Sequence, residues 1–512
     1  MPRPIPCGLG EACSRRGTAV SEDKPAPSGP VARGARAWLK ANRELAVLLL
    51  VAALGFFGRA WEGDLHGDPV HYAAIAKNIL SSGDWLTMHD APGLIYAKKP
   101  PLMFWLVAVN FKLFGPSTFA AKFWSCLFGA ATCVVLFLMA RRVLGATAGL
   151  LVGCVAATTP GMVMVSMDLR LDSAVALAVT ATVYAVVRAV QDDRPRWLLL
   201  AGVAGGLGFM TKMSAGAHVP AMLVLGLIAS RPRWLLHPCF WGALALGAAI
   251  AAPWHLAVAG HHGQEFTETY FEREIGERLV LGSHLARNLV GNARGLLTLT
   301  APWGLLAAFA LFRWRKVSPR ERWGLLLAVL WIAEVLVTAA LPPKRYDRYV
   351  ATAFPAVALL AGYGLATLIP ERLRERVPRV VRTLALVQAV ALALYPGLLH
   401  TYSCRGFVDA RDLLDKVEPG PTLAGFIPEE RFEDPEGEKG PWGLRSKVTY
   451  YLDRTVRFYT KADDLLRSPT RFAVTRERYV PELTRAGFEL MLDLDESYRL
   501  LLRRADAPPP TP

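Results

Sequence analysis

Long apolar runs recur along most of this 512-residue chain. Typical runs span about 18 to 22 residues, the length that a helix needs to cross a hydrocarbon core of about 30 Å. Hydrophobic residues make up 53% of the sequence, too many for an ordinary pair of soluble domains. We therefore predict an all-α polytopic membrane protein with about eleven transmembrane helices. We place them near residues 45–60, 116–140, 147–166, 173–190, 197–212, 214–230, 236–258, 295–312, 323–341, 350–369 and 383–400.

Basic residues mark alternate connections between these runs. Clusters of Lys and Arg stand at 141–142, 188–196, 231–233, 313–322 and 372–382. Because cytoplasmic loops are enriched in Lys and Arg, these connections are predicted to face the cytoplasm. The Pro-, Gly- and Ser-rich residues 1–44 are expected to form a disordered cytoplasmic tail. The odd number of spans then places the C-terminus outside the cytoplasm, in a multi-pass protein of the inner (cytoplasmic) membrane.

The distribution of charge argues against a nucleic-acid partner. The net charge is +15, but from residue 401 onward 18 Lys and Arg face 20 Asp and Glu, so the positive excess lies in the apolar part. Such an excess is typical of cytoplasmic loops, and no DNA- or RNA-binding motif accompanies it. The seven cysteines form no CxxC pair, so no disulfide framework is predicted.

The pattern changes beyond residue 400, the end of the transmembrane domain predicted over 45–400. Short strand signals alternate there with charged helical stretches, which is typical of a small soluble α/β domain. We predict such a domain over 401–504 on the extracytoplasmic side, followed by a disordered tail over 505–512. Its strands are expected at 422–427, 456–459, 471–474, 488–492 and 498–502.

The first outer loop, residues 61–115, concentrates polar groups between apolar segments. Asp64 and Asp68 are four residues apart, so on a helical turn both carboxylates would share one face and act on one substrate or cation. The alternative for Asp68 is a helix cap, because Pro69 follows it.

Three histidines of the same loop raise the question of a metal. His66, His71 and His89 lie near carboxylates, a ligand set that suits Zn²⁺ or Mn²⁺. Their spacing matches no compact zinc motif, and interfacial histidines need no metal. A divalent metal cofactor therefore stays open, and no metal ligand is assigned.

Cations on the outer side favour an anionic ligand. Lys98 and Lys99 precede the rigid pair Pro100-Pro101, and Tyr96 adds a hydroxyl donor. These side chains could form a phosphate clamp, or they could anchor the loop at the membrane interface. Intramembrane or juxtamembrane charges of this kind are usually functional or snorkelled. Further charged residues of the predicted outer loops are Arg170, Asp172, Lys212, Arg278, Lys344 and Arg345. Glu334, inside a predicted span, is assigned no role.

An ordered string of motifs resembles the membrane-embedded GT-C glycosyltransferases. The string comprises Asp68 with Tyr72-Ala-x-Ile-Ala, Ser82-Gly-Asp84-Trp85, Tyr96-x-x-Lys99-Pro-Pro-Leu102, Leu113-Phe-Gly115, Arg170-Leu-Asp172, Lys212, Pro253-Trp254-His255 and Lys344-Arg-Tyr-x-Arg-Tyr349. It is most similar to the branch of the aminoarabinose (lipid A) transferases and the protein O-mannosyltransferases, families 39 and 83. The resemblance covers roughly residues 45–370.

The resemblance implies a mechanism. Enzymes of this family pass a sugar from a polyprenyl-phosphate carrier to a hydroxyl acceptor outside the membrane, with inversion. By position, Asp68 would be the general base, and Tyr96, Lys99, Arg170, Lys212, Arg278 and Lys344 would bind the donor phosphate. Asp172 would orient a cation of this clamp. The family's usual Asp-Glu pair is Asp68-Pro69 here, which makes Asp64 the candidate for the second carboxylate.

The expected partners are therefore a lipid-linked sugar, an envelope lipid, glycan or protein acceptor, and the bilayer. A transporter or flippase of lipid-linked sugars is the main alternative, since it would share the lipid and phosphate contacts without needing a base. Repeat-related broken helices would favour that alternative, and the sequence shows no internal repeat. A third interpretation is that the C-terminal soluble domain carries the function and the transmembrane part only anchors it, although eleven spans exceed what an anchor needs.

Overall fold

The computed structural model describes residues 42–58, 60–61, 64–274, 276, 279–312, 319–367, 372, 376–394, 403–428 and 441–504. From Glu44 onward the chain forms one compact unit. The predicted tails, except for the last residues of the first, lie outside the described residues, as does Arg278.

Helices dominate the chain up to residue 394. Apolar runs form them because every backbone polar group is then paired within the segment, as a bilayer requires. They are α1 Arg43–Ala52, α2 Asp68–Ser82, α3 Leu102–Phe114, α4 Thr118–Leu144, α5 Ala146–Thr158, α6 Pro160–Ser166, α7 Asp172–Asp192, α8 Leu198–Phe209, α9 Ala215–Ile228, α10 Pro238–His262, α11 Gln264–Thr267, α12 His284–Thr300, α13 Trp303–Phe312, α14 Pro319–Thr338, α15 Phe354–Thr367 and α16 Val377–Leu394. A short hairpin of β1 (His89–Ala91) and β2 (Leu94–Ile95) lies between α2 and α3.

The membrane-spanning helices differ in detail from the eleven predicted runs. Within the described residues, four helices are long and apolar enough to cross a membrane, and six if each of two bent pairs counts as one span. The predicted run 147–166 is bent by 64° between α5 and α6, where Pro160 interrupts the helix. The run 295–312 belongs to α12 and α13, which are bent by 114° around Pro302. Other runs are helical but short, such as α9 with 14 residues.

The C-terminal region contains the small sheet that the sequence predicted. Helix α17 (Arg405–Val417) leads into it, and its strands are β3 Thr422–Phe426, β4 Thr455–Tyr459, β5 Phe472–Arg476, β6 Phe488–Asp493 and β7 Tyr498–Arg503. Their order is β4-β3-β5-β7-β6, with β3 parallel to both of its neighbours and the last two pairs antiparallel. Helices α18 (Pro441–Leu452), α19 (Ala462–Leu466) and α20 (Val480–Arg485) connect the strands.

The C-terminal region packs directly on the first loop. The backbone N–H of Leu65 donates to the hydroxyl of Tyr451 over 2.8 Å, and that hydroxyl lies 3.1 Å from the Leu65 carbonyl oxygen. One apolar core joins buried residues of α2, α3, α17 and α18, including Ile75, Phe104, Phe407 and Leu444. This shared core fixes α18 against α2 beside the polar cavity described next.

Candidate active site

Predicted site residues from distant parts of the sequence line one cavity of about 360 Å³. They come from the start of α2, the segment before α3, the start of α7, the turn after α8, and the segment before α15. The charged side chains among its lining residues are Asp68, Asp90, Asp172, Glu274, Lys98, Lys99, Arg170, Lys212 and Arg348. Cations thus exceed carboxylates by one, while His71 adds a titratable group.

Asp68 is the shared partner of two arginines. Its Oδ2 lies 3.2 Å from Arg348 Nη2 and 3.6 Å from Arg170 Nη1. Gly67, with φ at 60°, occupies the N-cap position, and Asp68 is the first residue of α2. A positive φ favours glycine there. Asp68 is therefore the first residue of the helix and not its N-cap, so the capping alternative is wrong.

Arg170 is fixed to α4 through its backbone. Its N–H donates to Ser125 Oγ over 3.0 Å, and the same hydroxyl donates to the Arg170 carbonyl over 3.1 Å. The guanidinium also lies 3.6 Å from Asp168 Oδ2. Arg170 thereby enters the cavity from a fixed backbone position.

Asp172 and Lys212 form a buried ion pair at the cavity wall. Lys212 Nζ donates to Asp172 Oδ1 over 2.6 Å, and their side chains are 15% and 9% exposed. The lysine follows α8, which approaches α7 closely: a Cβ added to Gly208 would lie 2.9 Å from Ala178 Cβ. A glycine at this crossing lets the two helices pack close enough to form the pair.

Lys99 points at a carboxylate that the sequence did not single out. Its Nζ donates to Glu274 Oε2 over 2.7 Å, and both side chains are 12% exposed. The Leu102 N–H donates to the Met210 carbonyl over 3.0 Å, which joins the Lys-Lys-Pro-Pro segment to the end of α8. Lys99 and Lys212 therefore reach the same cavity.

Buried phenols supply neutral hydrogen-bond donors. Burial raises the pKa of both Tyr72 and Tyr96 well above the ordinary value, with neighbouring carboxylates adding to the effect. Tyr96 follows the β1-β2 hairpin, and its N–H donates to the Met88 carbonyl over 2.8 Å. Both phenols stay protonated at neutral pH, which suits a site for an anion.

Two predicted site residues lie elsewhere. Asp64 Oδ2 accepts from the Cys404 N–H over 2.5 Å and ties the first loop to the C-terminal region, so it is not among the cavity-lining residues. Lys344 Nζ lies 5.4 Å from the centre of the Tyr346 ring, outside the cavity lining as well. In its segment, Arg348 takes the cavity position instead, four residues further along the motif.

The histidines of the first loop do not converge. His66 faces the C-terminal region near Cys404, and His89 Nε2 lies 3.2 Å from Asp84 Oδ2, whereas His71 lines the cavity. Among the described residues, no group of three or more His, Cys, Asp or Glu side chains could hold a metal ion. His218 and Glu334 form a separate buried pair between α9 and α14, 3.0 Å apart.

Sequence reasoning missed the contribution of α18. Trp442 lines the cavity, its ring centre 4.8 Å from that of His71, and Ser446 Oγ lies 2.8 Å from His71 Nδ1. Arg445 Nη1 lies 4.0 Å from Asp90 Oδ2. The signal for Arg348 was present in a motif already noted, but nothing local to α18 indicates that it reaches a loop more than 350 residues earlier.

The sequence of the chain is similar to that of known glycosyltransferases. Residues 98–256 match the model of the dolichyl-phosphate-mannose-protein mannosyltransferase family. The undecaprenyl phosphate-alpha-4-amino-4-deoxy-L-arabinose arabinosyl transferase of Edwardsiella ictaluri is 29% identical over 314 residues, 58% of this chain and 54% of that protein. The chain spans between 54% and 69% of the length of the first curated relatives that it matches.

Solved structures agree at the level of the fold. ArnT from Cupriavidus metallidurans, bound to undecaprenyl phosphate, superposes with a TM-score of 0.73 at 19% identity, covering 93% of this chain and 100% of that one. The archaeal oligosaccharyltransferase AglB from Archaeoglobus fulgidus, in complex with an inhibitory peptide and a dolichol-phosphate, gives 0.54 at 10% identity, covering 90% and 75%.

The chain is a multi-pass membrane protein with the GT-C fold of membrane-embedded glycosyltransferases. The similarity of its sequence to an aminoarabinose transferase and, over residues 98–256, to the mannosyltransferase family confirms the resemblance found in the sequence.

Proposed function

We propose that this protein is an inverting glycosyltransferase that moves a sugar from a polyprenyl-phosphate donor to a hydroxyl acceptor. The observation that carries the proposal is the convergence of Lys99, Arg170, Lys212 and Arg348 with Asp68 in one cavity. Positioned cations stabilise the charge that develops on a leaving phosphate, and they act most strongly where water is excluded. Arg278, which the resemblance adds to this set, lies outside the described residues.

The carrier lipid needs an apolar path to the cavity. A groove of about 420 Å³ runs between α8, α9 and α10, lined mainly by small and apolar residues such as Gly205, Val219 and Ala248. Phe209 lines the groove and stands three residues before Lys212, which lines the cavity. We propose that part of the polyprenyl chain occupies this groove. The curated relative named above uses undecaprenyl phosphate, a carrier of this class.

Charge at the two ends of α7 supports a cavity that opens away from the cytoplasm. Asp172 stands at the cavity end, whereas Arg188 at the other end pairs with Asp192, which also pairs with Arg142. Basic clusters favour the cytoplasmic side. The cavity then faces outward, together with the C-terminal region packed on it.

The number of membrane crossings that the contacts require supports the predicted topology. The first loop and the C-terminal region contact each other through Leu65 and Tyr451, so the helices between them cross the membrane an even number of times. The span predicted over residues 45–60, which begins within α1, adds one crossing from a cytoplasmic N-terminus. The proposed total is therefore odd, in keeping with eleven spans and an extracytoplasmic C-terminus.

Transfer by purified protein tests the function. Wild-type protein, supplied with a radiolabelled polyprenyl-phosphate sugar and an envelope extract, should move label from the carrier to an acceptor. Asp68→Asn should abolish transfer, because it removes the negative charge shared by Arg170 and Arg348. Binding of the labelled donor without any transfer by the wild type would favour a flippase. Mass spectrometry of envelope lipids and glycans from a strain lacking the protein would identify sugar and acceptor.

A further inference from the structure

The large aromatic rings that line the cavity differ in their surroundings. They belong to Tyr72, Tyr96, Tyr346, Tyr349 and Trp442. Each tyrosine ring has a further ring or a cation beside it, namely Phe104 for the first two, Arg348 for Tyr346 and Lys212 for Tyr349. Trp442 is half-buried, and among the described residues its indole has one such contact, the ring of His71 at 4.8 Å and an angle of 64°. The Trp442 indole therefore has surface available for a ligand.

Asp90 is the least tightly held carboxylate of the cavity. Its Oδ1 lies 3.4 Å from His71 Nε2 and its Oδ2 lies 4.0 Å from Arg445 Nη1, whereas a usual hydrogen bond measures about 2.7 to 3.2 Å. The other cavity carboxylates lie 2.6 to 3.2 Å from their nearest cations. The Asp90 side chain is 18% exposed, so its oxygens require donors that no described residue supplies at that distance. Hydroxyl groups of a ligand can be these donors.

Trp442 and Asp90 lie at the end of the cavity next to Asp68. His71 contacts both of them and follows Asp68 by three residues on α2. Residues three apart on a helix have Cβ atoms about 5 to 6 Å apart, roughly the width of one sugar ring. Asp68 in turn pairs with two of the arginines that are proposed to bind the donor phosphate. A sugar linked to that phosphate can therefore reach both side chains.

We propose that Trp442 and Asp90 bind the sugar ring of the donor. The apolar C–H face of a sugar ring packs on the electron-rich face of an aromatic ring, and a carboxylate accepts strong hydrogen bonds from hydroxyl groups. The cavity combines these two surfaces with the cations for the phosphate. This inference rests on the proposed function. It gives the C-terminal region a part in recognising the donor, because Trp442 belongs to α18.

Contacts on both sides of α18 fix the position of Trp442. Ser446 Oγ donates to the Trp442 carbonyl over 2.7 Å and lies 2.8 Å from His71 Nδ1, which joins the first turns of α18 to α2. Lys447 pairs with Asp495 over 2.5 Å, and their side chains are 4% and 6% exposed. A surface that is already ordered loses less entropy when the sugar binds.

Binding of the carrier lipid with and without a sugar tests the assignment. Calorimetry in detergent would use undecaprenyl phosphate alone, the same lipid linked to mannose, and the same lipid linked to 4-amino-4-deoxy-L-arabinose. With the sugar that the wild type binds more tightly, Trp442→Ala should lose roughly tenfold in affinity, because the packing of the ring is lost. The lipid alone should bind as it does to the wild type. Trp442→Phe should keep part of the affinity for the sugar-linked lipid.

Asp90→Asn should separate the same two ligands by charge. The sugar-linked lipid should bind roughly tenfold more weakly, because an amide accepts weaker hydrogen bonds than a carboxylate. The lipid alone should bind at least as tightly as before, since the cavity loses a negative charge that repels the phosphate. Trp61→Ala is the matched control. Trp61 is 69% exposed, stacks on Phe119 and is not among the cavity-lining residues, so this variant should bind each lipid as the wild type does.

Losses confined to the sugar-linked lipid would support the sugar site, and Asp90→Asn decides the question if Trp442→Ala fails to fold. Equal losses for both lipids, in a variant that keeps the wild-type unfolding midpoint, would overturn the inference. Unchanged donor binding with slower transfer would assign Trp442 to the acceptor and would overturn it as well. None of these results would touch the proposed function. Absence of both donor binding and transfer in the wild type would instead overturn the proposed function, and this inference with it.

Discussion

Lys212 Nζ lies 2.6 Å from Asp172 Oδ1, and this pair joins the turn after α8 to the first residue of α7 at the wall of the cavity. Both side chains are largely buried. A buried ion pair contributes less through its attraction than it costs when one partner is lost, because the remaining charge is left without its counter-ion.

Lys212→Met should therefore destabilise the protein by about 3 to 5 kcal/mol, because Asp172 loses its nearest cation. The measurement is the thermal unfolding midpoint in detergent. The double variant Asp172→Asn with Lys212→Met should recover part of the loss. A single variant as stable as the wild type would show that the pair contributes nothing to the fold.

The carboxylate of Glu274 binds Lys99, the lysine that is proposed to bind the donor phosphate. Glu274→Gln should tighten the binding of polyprenyl phosphate, since the phosphate no longer competes with a carboxylate for Lys99. Lys99→Met should weaken it by about 1.5 to 3 kcal/mol, the value of a hydrogen bond to a charged group, or roughly 10- to 100-fold. Calorimetry with the purified variants measures both. Equal losses in the two variants would mean that the pair serves the fold alone.

Arg348 and Lys344 offer a matched comparison within one segment. Arg348 contacts Asp68 and lines the cavity, whereas Lys344 lies beside the Tyr346 ring. Arg348→Met should weaken donor binding at least tenfold, because a charge-assisted contact is lost. Lys344→Met should bind the donor nearly as the wild type does. The reverse order would return Lys344 to the phosphate site, where the resemblance had placed it.

Asp64 is predicted to act on stability and not on chemistry. Burial raises the pKa of the Cys404 thiol to about 12, so very little thiolate forms at neutral pH and alkylation is slow. Asp64→Ala removes the acceptor of the Cys404 N–H, with an expected loss of about 1 to 3 kcal/mol. Mass spectrometry should then show faster alkylation of Cys404 with donor binding retained. Unchanged alkylation together with lost transfer would restore Asp64 to the catalytic set.

The sequence predicted the scaffold and the identity of several cavity residues for physical reasons. Apolar runs and basic loops indicate a helical membrane protein, and alternating short strands indicate the C-terminal sheet. Lys99 and Asp172 were found because charge beside a membrane is costly unless it is used.

Tertiary pairing could not be predicted in the same way. The contact between Glu274 and Lys99 joins residues 175 positions apart, and that between Ser446 and His71 joins residues 375 positions apart. No local periodicity encodes such pairs. The exact spans were also out of reach, because a hydropathy run does not show where Pro160 or Pro302 bends it.

The central claim is that the cavity cations together receive the phosphate of a polyprenyl carrier. The most direct measurement is a cryo-EM structure of the full chain with polyprenyl phosphate bound. We expect the phosphate to lie within hydrogen-bond distance, about 3 Å, of Lys99 and Arg348, with the lipid chain leaving along α8. A phosphate bound outside this cavity, with Lys99 still on Glu274 and both arginines still on Asp68, would contradict it.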